Sequence, residues 1–322
     1  MNFENASRAA IVPNFTTDPN TDNSKVSSGV PSLDSFGFRC EVDYARILVG
    51  LNRASNFATV TSKTHTKFAE ALDEGPGRAA KHFKIQFDDP GSREKIQRAL
   101  EILRLHSGGF STEPRLEKIE VSFDCYSRAR CKADLRKMTE RLFRSGAEYC
   151  SDNMRLIRRD CETEWAENVH LLRIKLDQGF TIFVGEQHAD ITQRIYHKTI
   201  DRKVLLPEAQ HRARREVALQ RTALDEAIRA FPSRQIGDAT PWKFEALSKW
   251  FRFREVKPGL AFTPMQRVVM DWQALQGVRN PERPGRRVYD PKWQADSALN
   301  ERARDSLREL SRRFASKRVP PH

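Results

Sequence analysis

The sequence predicts an α+β fold, a largely antiparallel sheet with helices packed on one face, followed by a helical C-terminal region. Three observations carry that prediction. Short runs with a period of two recur between residues 38 and 231; in the sharpest, Lys118 to Asp124, Ile119, Val121 and Phe123 alternate with Lys118, Glu120, Ser122 and Asp124. Segments with apolar residues three and four apart are set among these runs. Beyond Phe231 only helical signals remain, so strands come first and helices gather at the end.

In chain order, Met1 to Phe36 is rich in Asn, Thr, Ser, Asp and Pro and reads as a disordered arm. Arg39 to Leu51, Asn56 to Thr61 and His82 to Phe87 read as strands, and Ser92 to His106 as a helix stopped by Gly108-Gly109. After the strand at Lys118 comes a helix over Lys132 to Arg144, with Leu135, Met138 and Leu142 on one face. Val169 to Leu176 is a strand with Asp177-Gln178-Gly179 as its turn, and Thr181 to Val184 and Thr192 to Ile200 form a hairpin. Arg214 to Gln220 is a further strand running into a helix through Ala227. Thr240-Pro241 and Thr263-Pro264 each place an N-cap before a proline, opening helices through Phe251 and Leu275. A Pro/Gly/Arg loop over residues 280–287 precedes a last helix, Asp296 to Phe314. The expected division is an arm over 1–36, a body over 37–235 and a basic helical region over 236–322.

Composition narrows the function. The net charge is +13, and from Asp201 onward 26 Lys and Arg stand against 15 Asp and Glu, so most of the excess sits in the last third. Such asymmetry points to a polyanion, with nucleic acid ahead of membrane. No run approaches the roughly 18 apolar residues needed to cross a bilayer, and Met1-Asn2-Phe3-Glu4 lacks the basic and apolar regions of an export signal. The expectation is a soluble, unexported protein. Five cysteines, odd in number and without a C-x-x-C pair, read as reduced thiols rather than zinc ligands or disulfides.

The chemistry centres on the second strand of the hairpin. Its alternation puts Arg194, Tyr196 and Lys198 on one face and Gln193, Ile195 and His197 on the other. One reading is structural, a half-buried tyrosine flanked by two snorkelling bases. The other is a tyrosine nucleophile for phosphoryl transfer, with Arg194 and Lys198 stabilising the phenolate and the phosphate. A phenol ionises near pH 10, so such a nucleophile needs adjacent cations to lower its pKa and a divalent metal to polarise the phosphate. Mg²⁺ or Mn²⁺ prefers carboxylate oxygens. Glu120, Asp124 and Glu216 are the candidates; the first two share a face roughly 13 Å apart on an extended strand, so one of them with Glu216 is the better pair. An antiparallel sheet can leave one face wet, so a single open groove could hold all of these residues. Other chemistries find no support: there is no H-x-x-x-H, no His-apolar-His, no phosphate-binding G-x-x-x-x-G-K-[ST] and no G-x-S-x-G. His188 and His197 are read as rim residues.

Three segments, in order, resemble the replication initiation factor family, which includes initiators of rolling-circle plasmids and relatives from filamentous phages. Lys118-Ile119-Glu120-Val121-Ser122-Phe123-Asp124 resembles its Arg-Ile-Asp-apolar-small-apolar-Asp strand. Phe183-Val184-Gly185 with Arg194-Ile195-Tyr196-His197-Lys198 resembles its aromatic-apolar-Gly strand followed by Arg-Ile-Tyr-x-Lys, the most specific of the three. Arg214-Arg215-Glu216 resembles its Arg-aromatic-Glu strand, with Arg215 in place of the aromatic. The likeness spans roughly residues 115 to 220.

The resemblance implies a metal-dependent nickase and strand transferase in the 37–235 body. Tyr196 would attack one phosphodiester at an origin, stay joined to the 5′ phosphate and leave a 3′-OH primer. Glu120, Asp124 and Glu216 would bind Mg²⁺ or Mn²⁺, and Arg194 and Lys198 would contact phosphate. Implied partners are double-stranded origin DNA, the nicked single strand, and a host helicase and polymerase, with a homodimer compatible, no membrane, and a bacterial cytoplasmic setting. Lys118 and Glu120 depart from the family's Arg and Asp, which moves a carboxylate by one methylene. The alternative is a non-catalytic plasmid or phage DNA-binding regulator with the same fold. A tyrosine recombinase is disfavoured, because the late Tyr289 lies in the Pro/Arg loop; Tyr126 is the next candidate nucleophile. The geometric expectation is a Tyr196 hydroxyl near at least two of the three carboxylates.

Overall fold

The computed structural model describes residues 32–145, 154–157, 164–165, 180–184, 189–201, 204–238, 240–256 and 293–315. Strands are β1 (Phe36–Ser55), β2 (Phe68–Ala71), β3 (Ala80–Asp88), β4 (Phe110–Ser127), β5 (Met154–Ile157), β6 (Glu164–Trp165), β7 (Thr181–Val184), β8 (Ile191–Lys198), β9 (Ile200–Asp201), β10 (Val204–Leu205), β11 (Arg212–Gln220), β12 (Arg254–Val256) and β13 (Trp293–Ala295). Helices are α1 (Phe57–Thr64), α2 (Arg93–His106), α3 (Lys132–Ser145), α4 (Thr222–Glu226) and α5 (Ser297–Ala315). Among the described residues, nine strands form one sheet in the order β2-β3-β1-β4-β11-β8-β7-β5-β6. Every pairing in it is antiparallel. The fold is α+β, as the alternation predicts.

The sheet has two unlike faces. Ile119, Val121 and Phe123 of β4 and Val217 and Leu219 of β11 are buried in the hydrophobic core, the side on which α3 and α5 pack. The apolar stripe of α5, Leu299, Ala303, Leu307, Leu310 and Phe314, is buried in that same core. Phe123 stacks on Phe38 at 5.7 Å and meets Phe253 at the same distance, joining β4, β1 and the segment before β12. Arg215, fully buried on this side, donates to Gln193 Oε1 at 2.8 Å and to the Trp250 carbonyl at 3.1 Å, with Phe253 under its guanidinium. A cation here is stable because hydrogen bonds and an aromatic face replace its water.

Two of the four register breaks between β1 and β4 shape the opposite face. Val42 pairs with Val121 and Tyr44 with Glu120, so Asp43 is an extra residue on β1. The core positions of β1 therefore run Cys40, Val42, then Ala45, Ile47, Val49 and Leu51, and both Asp43 and Tyr44 turn to the other side. On β4, Glu117 is the extra residue between Leu116 and Lys118.

Some expected elements differ. Asn56 to Thr61 is not a strand but the start of α1: the Asn56 side chain accepts from Thr59 N at 2.8 Å, and the cap outweighs the extended preference of Thr and Val. Thr240-Pro241 does not open an α-helix. Thr240 bonds to Asp238 Oδ1 through both N and Oγ1 at 2.8 Å, and a 3-10 helix forms only over Phe244–Trp250. Of the arm, Ser32 caps a 3-10 turn over Leu33–Ser35, and Phe36, buried, begins β1. The expected strand at 169–176 and its turn at 177–179, the helix after Pro264, the loop at 280–287, His188, Gly185 and Tyr289 lie outside the described residues.

The burial of α5 makes a prediction. Leu307→Ala deletes a fully buried side chain and should cost about 2 to 5 kcal/mol. Urea unfolding followed by far-UV dichroism should show a single transition with a lower midpoint and an unchanged slope. A second transition, with the larger part of the chain unaffected, would mean that α5 is not part of the common core.

Candidate functional site

The site lies on the sheet face away from the helices, over β1, β4, β11 and β8. Register brings its residues together. Tyr196 pairs with Arg214, which pairs with Asp124, and Arg194 pairs with Glu216, which pairs with Ser122. On this face β4 contributes Glu120 and Asp124, β11 contributes Arg212, Arg214 and Glu216, and β8 contributes Arg194 and Tyr196.

The face is not the wet groove that the polar alternation suggests. Glu120 is 5 % exposed, Asp124 0 % and Glu216 2 %. They tolerate burial because guanidiniums lie over them. Arg214 grips Asp124 through two parallel bonds of 2.6 Å (Nε to Oδ1, Nη2 to Oδ2) and turns Nη1 to Asp43 Oδ1 at 2.9 Å and Glu216 Oε1 at 3.3 Å. Arg212 Nε adds an ion pair to Asp124 at 3.3 Å. Arg194 pairs with Glu120 through Nη2 and with Glu216 Oε2 through Nε, the latter at 2.5 Å. The Tyr196 hydroxyl donates to Glu216 Oε1 at 2.6 Å.

Of the residues expected at the site, the structure therefore joins Tyr196, Arg194, Glu120 and Glu216. Among the three expected carboxylates the hydroxyl hydrogen-bonds Glu216, while Glu120 is reached through Arg194 and Asp124 through Arg214. Asp124 is engaged on both oxygens by arginine. Lys198 turns away to Asp201, 2.9 Å from its Nζ. His197, on the helix side, packs edge-on to His211 at 6.1 Å between ring centres.

Asp43 escapes a reading by alternation alone. Oxygens of Asp43, Glu120 and Glu216 lie within 4.8 Å of one another. Its signal in the sequence is the phase jump of β1, from Val42 to Ala45 and Ile47, which only a bulge accommodates. Tyr126 lies on this face too, beneath the Arg212 guanidinium at 5.6 Å.

The electrostatics follow from four carboxylates (Asp43, Glu120, Asp124, Glu216) set against three guanidiniums (Arg194, Arg212, Arg214). Burial pushes the Glu120 carboxyl up to about 7, reinforced by the Glu216 charge and opposed by Arg194. Burial likewise raises Asp43 well above the carboxylate range, with Arg214 opposing and the other three acids adding. Burial alone would raise Glu216, but Arg194 and Arg214, with the Tyr196 hydroxyl, more than offset it and hold Glu216 down. The Tyr196 phenol moves up, not down as flanking cations alone would dictate: burial dominates, the Glu216 charge adds to it, and Arg214 and Arg194 only moderate the rise.

A divalent cation fits this donor set. The three clustered groups are hard carboxylate oxygens, the type that suits Mg²⁺ or Mn²⁺. Asp43 Oδ2 is buried without a hydrogen-bond partner. The surplus acid is the charge that a cation would neutralise.

No protein-family model matches the chain, and no curated protein matches it. Among solved structures, it is similar to a rolling circle replication initiator protein from Geobacillus stearothermophilus, with a TM-score of 0.37 and 12% identity over 75% of this chain and 96% of that one. The overlap is too loose to carry any residue assignment across.

His197 supplies a pH test of this part of the sheet. Burial, then the neighbouring His211, Lys132 and Arg136, lower its imidazole from 6.5 to about 4. The unfolded chain therefore binds a proton that the folded chain refuses between those values, so this contribution is present above pH 6.5 and is lost as pH falls toward 4. Urea midpoints of the parent should fall more steeply over that window than those of His197→Gln. Parallel pH profiles would show that the ring titrates normally.

Proposed function

We propose that the chain is a DNA nickase and strand transferase of the rolling-circle initiation type, with the Tyr196 hydroxyl as nucleophile. The observation that carries this reading is the 2.6 Å hydrogen bond from that hydroxyl to Glu216, a carboxylate that also belongs to the acidic cluster with Asp43 and Glu120. A phenol with a raised pKa needs a proton acceptor in contact with it, and Glu216 Oε1 occupies that position. As the Tyr196 oxygen bonds to phosphorus, its proton passes to Glu216, the bond from phosphorus to the 3′ oxygen breaks, and the departing oxygen takes a proton from water. Arg194 and Arg214 stabilise the phenolate that forms in passing; both already lower the cost of negative charge on Tyr196. Asp43, Glu120 and Glu216 would hold the divalent cation, which would polarise a phosphate oxygen. The three-segment resemblance and the basic excess in the last third also support DNA as substrate.

A second reading has its own observation. Each of the four carboxylates Asp43, Glu120, Asp124 and Glu216 is met by a guanidinium, which is also how a purely structural network would look. A regulator that binds DNA without cleaving it would keep that network for stability alone.

Incubation with a supercoiled plasmid carrying the cognate origin, in Mg²⁺ or Mn²⁺, followed by denaturation, separates the two. The nickase should yield open circles with protein covalently attached, and Tyr196→Phe should abolish both. Tight binding without nicking would support the regulator, and nicking that survives Tyr196→Phe would move the nucleophile to another residue.

Metal binding is checked apart from activity. Mn²⁺ at about 100 times its dissociation constant should stabilise the parent by about 2.7 kcal/mol. Asp43→Asn should lose most of the corresponding rise in melting temperature, while Lys198→Ala should keep it. Equal shifts in all three proteins would place the cation elsewhere.

A further inference from the structure

The polar face of the sheet continues beyond the acidic cluster toward the β2 edge, where cations and aromatic rings stand together, with Asp88 held by Gln86 and Glu117 by Lys84. Arg46 of β1 pairs with Gln86 of β3 and Lys118 of β4, and Gln86 pairs with Phe68 of β2, so these four residues form one row across the sheet. Tyr44 stands one step along, opposite Glu120. Two cation–aromatic contacts lie in this patch: the Arg46 guanidinium is 5.6 Å from the centre of the Phe68 ring, and Lys118 Nζ is 5.7 Å from that of Tyr44. Nearer the hydroxyl of Tyr196, Arg194 lies 5.9 Å over Phe183 of β7.

Several features of this row are unexplained by folding. Phe68 leaves 41 % of its surface exposed on an edge strand, where a charged residue would better guard against pairing with another chain. Arg46 donates to Gln86 through Nη2 at 3.1 Å, while its Nε is buried without a hydrogen-bond partner. Two cations paired directly across neighbouring strands, with an unmatched donor and an exposed ring beside them, suit a ligand that brings both anionic oxygens and flat apolar faces.

We propose that this row is a track for an unpaired nucleic-acid strand. A base stacks on Phe68, and successive phosphates meet Arg46 and Lys118 on the way to the acidic cluster. Only an unpaired strand presents open base faces next to its phosphates, because in a duplex the bases stack on each other. That the strand then reaches Tyr196 rests on the nickase reading; that it binds here does not.

The test uses the full chain carrying Tyr196→Phe, so that cleavage does not intervene, and the anisotropy of a fluorescein-labelled oligo(dT) and of a duplex of equal length. The oligo(dT) should bind, and Phe68→Ala should weaken it about tenfold while changing duplex binding little. Arg46→Ala should reduce the slope of log affinity against log salt by about 0.7, one phosphate contact to a single strand. Phe68 is exposed, so its substitution should leave the melting temperature unchanged and keep the test valid even if Arg46→Ala unfolds. Absence of oligo(dT) binding, unchanged affinity in Phe68→Ala, or equal losses on single strand and duplex would each overturn the track. Oligo(dT) binding that depends on Phe68, in a parent chain that nicks no origin plasmid, would uphold the track and sink the nickase.

Discussion

Asp124 and Arg214 form the pair on which the polar face of the sheet depends. Both are buried almost completely, and the fork between them spans the central strands β4 and β11. Desolvating two such ions costs several kcal/mol each, and the parallel bonds return that cost only while the fork is intact; removing one partner strands the other at about 3 to 5 kcal/mol. What the pair adds is position. With two of its nitrogens fixed on Asp124, Arg214 can aim its third only at Asp43 and Glu216, so the acid cluster is oriented by a residue outside it.

The same network explains why Tyr196 is held rather than activated in advance. Its hydroxyl contacts a carboxylate that two arginines keep ionised, which secures an acceptor but penalises a second negative charge beside it. A cation bound by Asp43, Glu120 and Glu216 would relieve both effects, since it neutralises Glu216 and lowers the cost of a phenolate. Charge balance thus ties Tyr196 to the cluster more firmly than contact distance does. Two of its acids, Asp43 and Glu120, rise chiefly because they are buried, and the neighbouring carboxylates add to the rise.

Much of the fold is legible in the sequence where one periodicity stands alone. Lys118 to Asp124 alternates cleanly and is part of β4, and the stripe from Leu299 to Phe314 is the buried face of α5. Errors fall where a side chain overrides the pattern, as Asn56 does by capping α1 and Asp238 by holding Thr240 out of a helix. At the site, alternation groups Arg194 with Tyr196 and Glu120 with Asp124. It gives no account of burial, since nothing local reveals that Arg212 and Arg214 roof the carboxylates. Nor does it find Asp43, because a bulge is a break in the period and a period-based reading sees only noise there.

That bulge also limits how β1 can be assembled. A regularly alternating strand can slide by two residues and still present its apolar side chains to the core, so its alignment is only weakly protected. In β1 the phase reverses at Asp43, and in β4 a matching reversal falls at Glu117. If one strand slides by two residues against the other, the extra residues no longer meet the partner positions that accommodate them, and flattening either bulge to restore the ladder turns the charged side chains beyond it toward the core. These two extra residues, with the two further breaks between Leu48 and Leu51, act together like the notches of a key, admitting one alignment and penalising its neighbours, and the same notch that supplies an oxygen to the acid cluster proofreads the pairing of the longest strands in the sheet.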